Sequence, residues 1–219
     1  MSVKISRRDF LKAAGLGLAV TTVTCSGLGY AATRAPRVDT PEYVFGEDDP
    51  MNKRILVTYA TRAGSTIEIA AAIGNALSER GFSVDIKPVK ELPGLNGYRA
   101  VIIGSAIRMG NWLPEAVEFV KANQQELNQM PVSLFTVHML NTGEDETSRN
   151  ARLAYLNTVR PMLSSAEEVF FSGKMDFSRL SFMDRFVAKM VKAVESDQRD
   201  WGKIRQWAKT TLSQVVSDA

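Results

Sequence analysis

Apolar residues follow two rhythms along this chain. Short continuous or alternating runs predict strands, and three- and four-residue spacing predicts helices. Ile55-Leu56-Val57-Thr58-Tyr59 is a β-prone run that predicts a buried strand, with a turn at Thr61–Gly64. Ile67, Ala70, Ala71, Ile73, Ala76 and Leu77 then recur at helical spacing until Gly81. Phe82–Ile86 alternates as a second strand. Ala100-Val101-Ile102-Ile103-Gly104 is apolar throughout, as suits a central strand buried on both faces. Leu113 to Leu127 predicts a helix and Val132–Val137 a fourth strand. A helix follows from about Thr147 to Leu163, with its end left open by Pro161. Glu168–Ser172 is a fifth strand, and Arg199 to Val216 a last helix.

Five strands with intervening helices predict an α/β fold with a doubly wound parallel sheet. The expected strand order is 2-1-3-4-5, with an extra helical segment after strand five. Such sheets hold ligands beyond the carboxyl ends of their strands, where the strand order reverses. Here that crevice lies after strands one and three.

Composition adds little: 45% hydrophobic and 23% charged residues in 219 are enough for one domain with its own core plus an extension. Charge adds more. A pI near 9.0 invites a nucleic-acid partner. However, Lys4, Arg7, Arg8 and Lys12 against Asp9 already account for the whole net charge of +3. The remainder balances, so it carries no electrostatic footprint for a phosphate backbone, and no nucleic-acid partner is expected.

Ser6-Arg7-Arg8-Asp9-Phe10-Leu11-Lys12 precedes a weakly apolar stretch rich in Gly and Thr. This layout resembles a twin-arginine export signal. The expected organisation is a signal over 1–32, a linker over 33–52 with little regular structure, and a domain over 53–217. Gly29, Ala31 and Ala32 offer a cleavage site, although an uncleaved anchor is an alternative. Export places the protein in the periplasm or on the outer face of the cytoplasmic membrane. Cys25, the single cysteine, lies within the signal. Its removal excludes disulfides, thiolate metal sites and thiol catalysis from the mature protein, and no metal site is assigned.

Thr58-Tyr59-Ala60-Thr61-Arg62-Ala63-Gly64-Ser65-Thr66 joins the first strand to the first helix. Hydroxyls and backbone N–H groups there converge on a helix N-terminus, which suits an anion. No Lys follows Gly64, so this is not a Walker loop. A site of hydroxyls and amides without an obligatory cation suits a phosphate monoester. The alternative is that Ser65 or Thr66 merely caps the helix.

Tyr59–Thr66 resembles the phosphate loop of flavodoxins, and Arg62 within it is closer to the flavodoxin-type, quinone-dependent protoporphyrinogen oxidases. Val101–Trp112 and Met183–Met190 resemble that family at two further places, so the likeness spans about residues 53–210. The resemblance implies a flavodoxin-like fold, an FMN cofactor, and a quinone or other redox partner. It assigns Thr61, Gly64, Ser65 and Thr66 to the phosphate, with Arg62 and Ala63 as loop backbone. Ser105, Ala106, Ile107, Arg108, Met109, Gly110, Asn111 and Trp112 form the first flavin loop. Val137, His138, Met139, Leu140 and Asn141 form the second. Trp112 is the ring-stacking candidate, with a core anchor as the alternative. His138, the single histidine, either tunes the flavin edge or sits at the surface. No chemistry is assigned to Glu144-Asp145-Glu146, and no catalytic acid, base or nucleophile is assigned anywhere.

Phe177, Leu180, Phe182, Met183, Phe186, Val187, Met190, Val191 and Val194 recur at helical spacing among Arg179, Arg185, Lys189 and Lys192. Residues 177–194 therefore either touch an anionic membrane surface or pack on the sheet. Glu195–Trp201 lacks the Gly-rich, Thr-containing stretch associated with the protoporphyrinogen enzymes. That departure counts against a porphyrin substrate, as does export. The readings are thus an FMN-dependent oxidoreductase, a non-enzymatic electron carrier, or a binding module that kept only the fold.

Overall fold

The computed structural model describes residues 38–46, 54–182, 185–186, 190 and 194–213. The twin-arginine segment and Cys25 lie outside the described residues. Five parallel strands form the sheet: β2 (Arg54–Ala60), β3 (Ser83–Pro88), β4 (Ala100–Arg108), β6 (Val132–His138) and β7 (Glu167–Ser172). Their spatial order is β3-β2-β4-β6-β7, which is the expected 2-1-3-4-5. In the register, Ile55 faces both Val84 and Ala100, and Gly104 faces both Tyr59 and Phe135.

An unexpected strand, β1 (Tyr43–Phe45), lies antiparallel on the outer edge of β3. The stretch read as an irregular linker therefore contributes to the sheet. Tyr59 Oη reinforces the docking by donating to the Pro41 carbonyl at 3.0 Å.

Alternation along β2 fills two cores. Ile55, Val57 and Tyr59 face one side, where they meet α1 (Ser65–Ser78) and α5 (Trp201–Thr210). Leu56 and Ala60 face the other, with Leu113, Ala116, Phe119 and Val120 at and within α2 (Pro114–Ala122). The expected helix to Leu127 is broken at Asn123, after which α3 (Gln124–Leu127) is a single turn. Likewise α4 (Glu146–Ala154) ends well before Leu163. No residue of α4 is buried; Tyr155, Leu156 and Val159 enter the core through turns that follow it. Pro161, which has no N–H to donate, sits in a short 3₁₀ turn. Trp207 Nε1 on α5 donates to Glu167 at 2.8 Å, and Arg80 donates to the Ala208 and Thr211 carbonyls at the end of α5.

Beyond β7, β8 (Lys174–Met175) and β9 (Ser196–Asp197) pair antiparallel. The described residues from Val38 to Arg179 and from Val194 to Ser213 form one compact unit, and those between Leu180 and Met190 belong to a second. Within those, Phe182, Arg185, Phe186 and Met190 are helical, and Arg185 N–H donates to the Ser181 carbonyl.

Candidate functional site

The loops at the carboxyl ends of β2, β4, β6 and β7 build the site. In the first, Gly64 precedes α1 at φ 89°, a left-handed conformation that disfavours other residues. Thr61 Oγ1 accepts from Gly64 N–H at 3.0 Å and closes the loop. No side chain caps α1, so neither Ser65 nor Thr66 plays the capping role. Ile67 N–H donates to the Gly64 carbonyl at 3.1 Å, so the N–H groups at the very start of α1 are the ones left to an anion. Thr66 is wholly buried, and its Oγ1 has no hydrogen-bond partner. A buried hydroxyl without a partner costs free energy, and a ligand oxygen would relieve it.

Arg62 turns away from this cradle. Its Nη1 and Nη2 fork onto Glu115 at 2.7 and 3.0 Å, bolting the first loop to the first turn of α2. Sequence reasoning missed Glu115, because nothing in the chain ties it to a residue 53 positions away.

The second loop is a β-hairpin, in which β4 pairs antiparallel with β5 (Asn111–Trp112). Met109 and Gly110 form its tip at φ 51° and 77°, as a two-residue turn of this hand requires. Met109, at 81% exposure, projects from the tip, and Arg108, Gly110 and Asn111 are exposed beside it. Ala106 and Ile107 are half-buried against the second core. Ser105 is buried; its Oγ donates to the Ala106 carbonyl and accepts from Leu113 N–H, which makes it a fastener of the hairpin.

Trp112 is a core anchor. It is 2% exposed, and Nε1 donates to Thr136 Oγ1 at 2.9 Å. The stacking alternative fails because the side chain is spent on packing between the hairpin and β6.

In the third loop, Val137 belongs to the core, Met139 is half-buried, and Leu140 and Asn141 are exposed. Arg152 on α4 donates to the Asn141 and Gly143 carbonyls at 2.5 and 2.6 Å, and Asn141 Nδ2 donates to Tyr155 Oη. Asp145 caps α4 by accepting from Ser148 N–H and Oγ–H, bonds that lower its carboxyl pKa. The acidic run thus has a structural use.

Gly173, after β7, was missed, although its place at a strand's carboxyl end could have flagged it. A Cβ there would lie 2.9 Å from Val137 Cγ1, 3.4 Å from Met139 Sδ and 3.5 Å from Ser65 Oγ. Three loops converge on that bare position.

His138 is buried rather than at the surface, with Nδ1 2.8 Å from the Leu140 carbonyl and its ring against Tyr155 and Phe170. Burial pushes its pKa below the ordinary value, with Arg152 and Lys203 acting the same way and the Leu140 bond opposing them. The unfolded chain therefore binds a proton more readily than the folded one. Stability is expected to hold above about pH 6.5, the unperturbed histidine value, and to fall as pH drops below it. Urea titrations at several pH values should show the fall shrinking in His138→Gln; an unchanged slope would refute the assignment.

A doubly wound sheet with an anion-ready first loop and two flanking loops at its switch point is the architecture of nucleotide-binding α/β proteins. A model of the flavodoxin domain matches residues 56–201, and the chain belongs to that family. The quinone-type protoporphyrinogen IX dehydrogenase of Escherichia coli strain K12 is 28% identical over 172 residues, which cover 71% of this chain and 93% of that one. Its counterpart from Leishmania major is 26% identical over 169 residues, covering 71% and 73%. Among solved structures, a flavodoxin from the domain Archaea aligns with a TM-score of 0.42 and 17% identity, over 62% of this chain and 99% of that one.

Proposed function

We propose that this flavodoxin-family protein binds FMN and works as an oxidoreductase of the quinone-linked protoporphyrinogen type, exported by the twin-arginine route. The buried, unpartnered Thr66 hydroxyl at the uncapped start of α1 carries the cofactor reading. It fits a phosphate monoester, which Thr61, Gly64, Ser65 and Thr66 would hold through hydroxyls and backbone N–H groups. The loops around Met109 and Leu140 would offer exposed apolar side chains to a flat ring. When bound, the flavin supplies the electron transfer; the chain supplies binding, orientation and access.

Thr66→Val tests the cradle directly. Removing an unsatisfied buried hydroxyl is expected to leave the flavin-free protein as stable or more so, by up to about 1 kcal/mol. The same change should weaken FMN binding about tenfold, read by flavin fluorescence quenching.

The E. coli and Leishmania relatives, by their names, support protoporphyrinogen and a quinone as the substrate pair. The departure over Glu195–Trp201 favours a second reading, a carrier that docks to redox partners. Full-length protein held in the cytosol of a host without twin-arginine transport should be yellow and release FMN on heating. Steady turnover of protoporphyrinogen with a quinone supports the enzyme, and a stable one-electron reduced form without turnover supports the carrier. A colourless protein that takes up no added FMN overturns both. Export is tested by Arg7→Lys with Arg8→Lys, which should leave the protein in the cytosol.

Access to a quinone would come through an anionic membrane surface. Phe182, Phe186 and Met190, spaced by four, are 67%, 54% and 70% exposed, and Arg185, Lys189 and Lys192 supply positive charge along the same segment. Among the described residues no helix is long and apolar enough to cross a membrane. Co-sedimentation with phosphatidylglycerol vesicles, lost in Phe182→Asp with Phe186→Asp, supports surface contact; equal sedimentation of both proteins refutes it.

A further inference from the structure

The first loop reads in sequence as a phosphate site without an obligatory cation. The fold brings one to it from 116 positions away. Arg179 Nη1 lies 3.3 Å from the Ala63 carbonyl, and a Cβ placed on Gly64 would come within 2.7 Å of the same nitrogen. The guanidinium therefore stands against the backbone of the loop that precedes α1.

Charge accounting around it matters. Arg62, the loop's own cation, is neutralised by its fork onto Glu115. Glu68, in the first turn of α1, is engaged at Oε2 by Arg199 at 2.5 Å, and Arg199 also forks onto Asp197 at 2.6 and 2.7 Å. Arg179 meets Glu68 Oε1 only at 3.8 Å and Asp176 Oδ2 at 3.7 Å. Its contact with the Ala63 carbonyl is also longer than the usual 2.9–3.0 Å. Loose contacts surrender little when a stronger acceptor arrives, and a phosphate accepts a guanidinium fork better than a carbonyl does.

We propose that Arg179 is a cofactor-binding residue whose guanidinium pairs with the phosphate monoester held by the first loop. This pairing makes the site distinguish phosphorylated flavin from unphosphorylated flavin. The assignment rests on the flavin reading given above. The hydroxyls and N–H groups of Thr61–Thr66 fix where the phosphate sits, and Arg179 adds charge from the open side. Because Arg179 is partly exposed, salt screens its contribution.

The test compares FMN with riboflavin, which lacks the phosphate, on the flavin-stripped full chain by fluorescence quenching. Arg179→Gln is expected to weaken FMN about tenfold, or about 1.4 kcal/mol, and to leave riboflavin within about twofold. Arg179→Lys, which keeps the charge and lacks the fork, should fall between. Added salt should narrow the gap between FMN and riboflavin in the wild type and leave it unmoved in Arg179→Gln. An FMN-to-riboflavin affinity ratio equal to that of the wild type in both variants overturns the assignment while the flavin reading stands. A wild-type chain that binds neither flavin overturns the flavin reading and this assignment with it. Should Arg179→Gln fail to fold, the ratio in Arg179→Lys and the wild-type salt dependence decide: a full wild-type ratio with no salt dependence refutes the pairing.

Discussion

Gly104→Ala is expected to remove a large part of the domain's stability. A Cβ on Gly104 would fall 1.9 Å from Phe135 Cζ and 2.2 and 2.4 Å from Cε1 and Cε2. Neither side can yield cheaply. Residue 104 is paired on both flanks, to Tyr59 and to Phe135, so its backbone cannot withdraw. Phe135 is fully buried, with Phe171 beside it, so its ring must leave the core. Expelling such a ring forfeits about 3–5 kcal/mol, against a typical domain stability of 5–15 kcal/mol. Urea unfolding should show that loss, or no cooperative transition at all. Adding Phe135→Leu should restore part of it, so that the double variant costs less than the two single changes together. A Gly104→Ala protein as stable as the wild type would show that the ring does not occupy this space.

Trp112 carries the other large effect. Trp112→Ala is expected to cost about 3–5 kcal/mol, as for other buried aromatic truncations. Trp112→Phe keeps much of the packing but removes the donor to buried Thr136 Oγ1, for about 1–2 kcal/mol. The informative readout is the flavin. With Trp112 in the core, Trp112→Phe should leave the bound-flavin absorption spectrum and FMN affinity within about twofold of wild type. A shifted spectrum with unchanged stability would return Trp112 to the ring.

The central sheet was legible because its strands are continuous apolar runs, and their order follows from the alternation with helices. Short-range patterns carried that much. β1 escaped because three residues are too few for a period and their pairing depends on the edge of β3. The helix at Thr147 was drawn too long because Tyr155, Leu156 and Val159 keep helical spacing while the chain turns them inward without a helix. The uncapped helix start after the first loop was legible from its hydroxyls and from Gly64, and its phosphate role rests on the proposal above. Trp112 reads in sequence as the ring-stacking group because an aromatic beside a flavin loop suits a flat ring, and only its burial against Thr136 shows the packing role. Arg179 and Glu115 contact a loop 116 and 53 positions away, and no local pattern announces such pairs.

The antiparallel seat of β1 on β3 also decides where the folding unit starts. A shortened protein beginning at residue 53 would look complete by its parallel strands. It would bare the outer edge of β3 as a row of unpaired N–H and C=O groups, which invites edge-to-edge self-association. It would also strip the Tyr59 hydroxyl, two residues before Thr61 of the first loop, of its Pro41 acceptor. A trimmed version made for crystals or assays therefore has to keep Pro41 to Phe45, or its aggregation will be mistaken for a property of the whole chain.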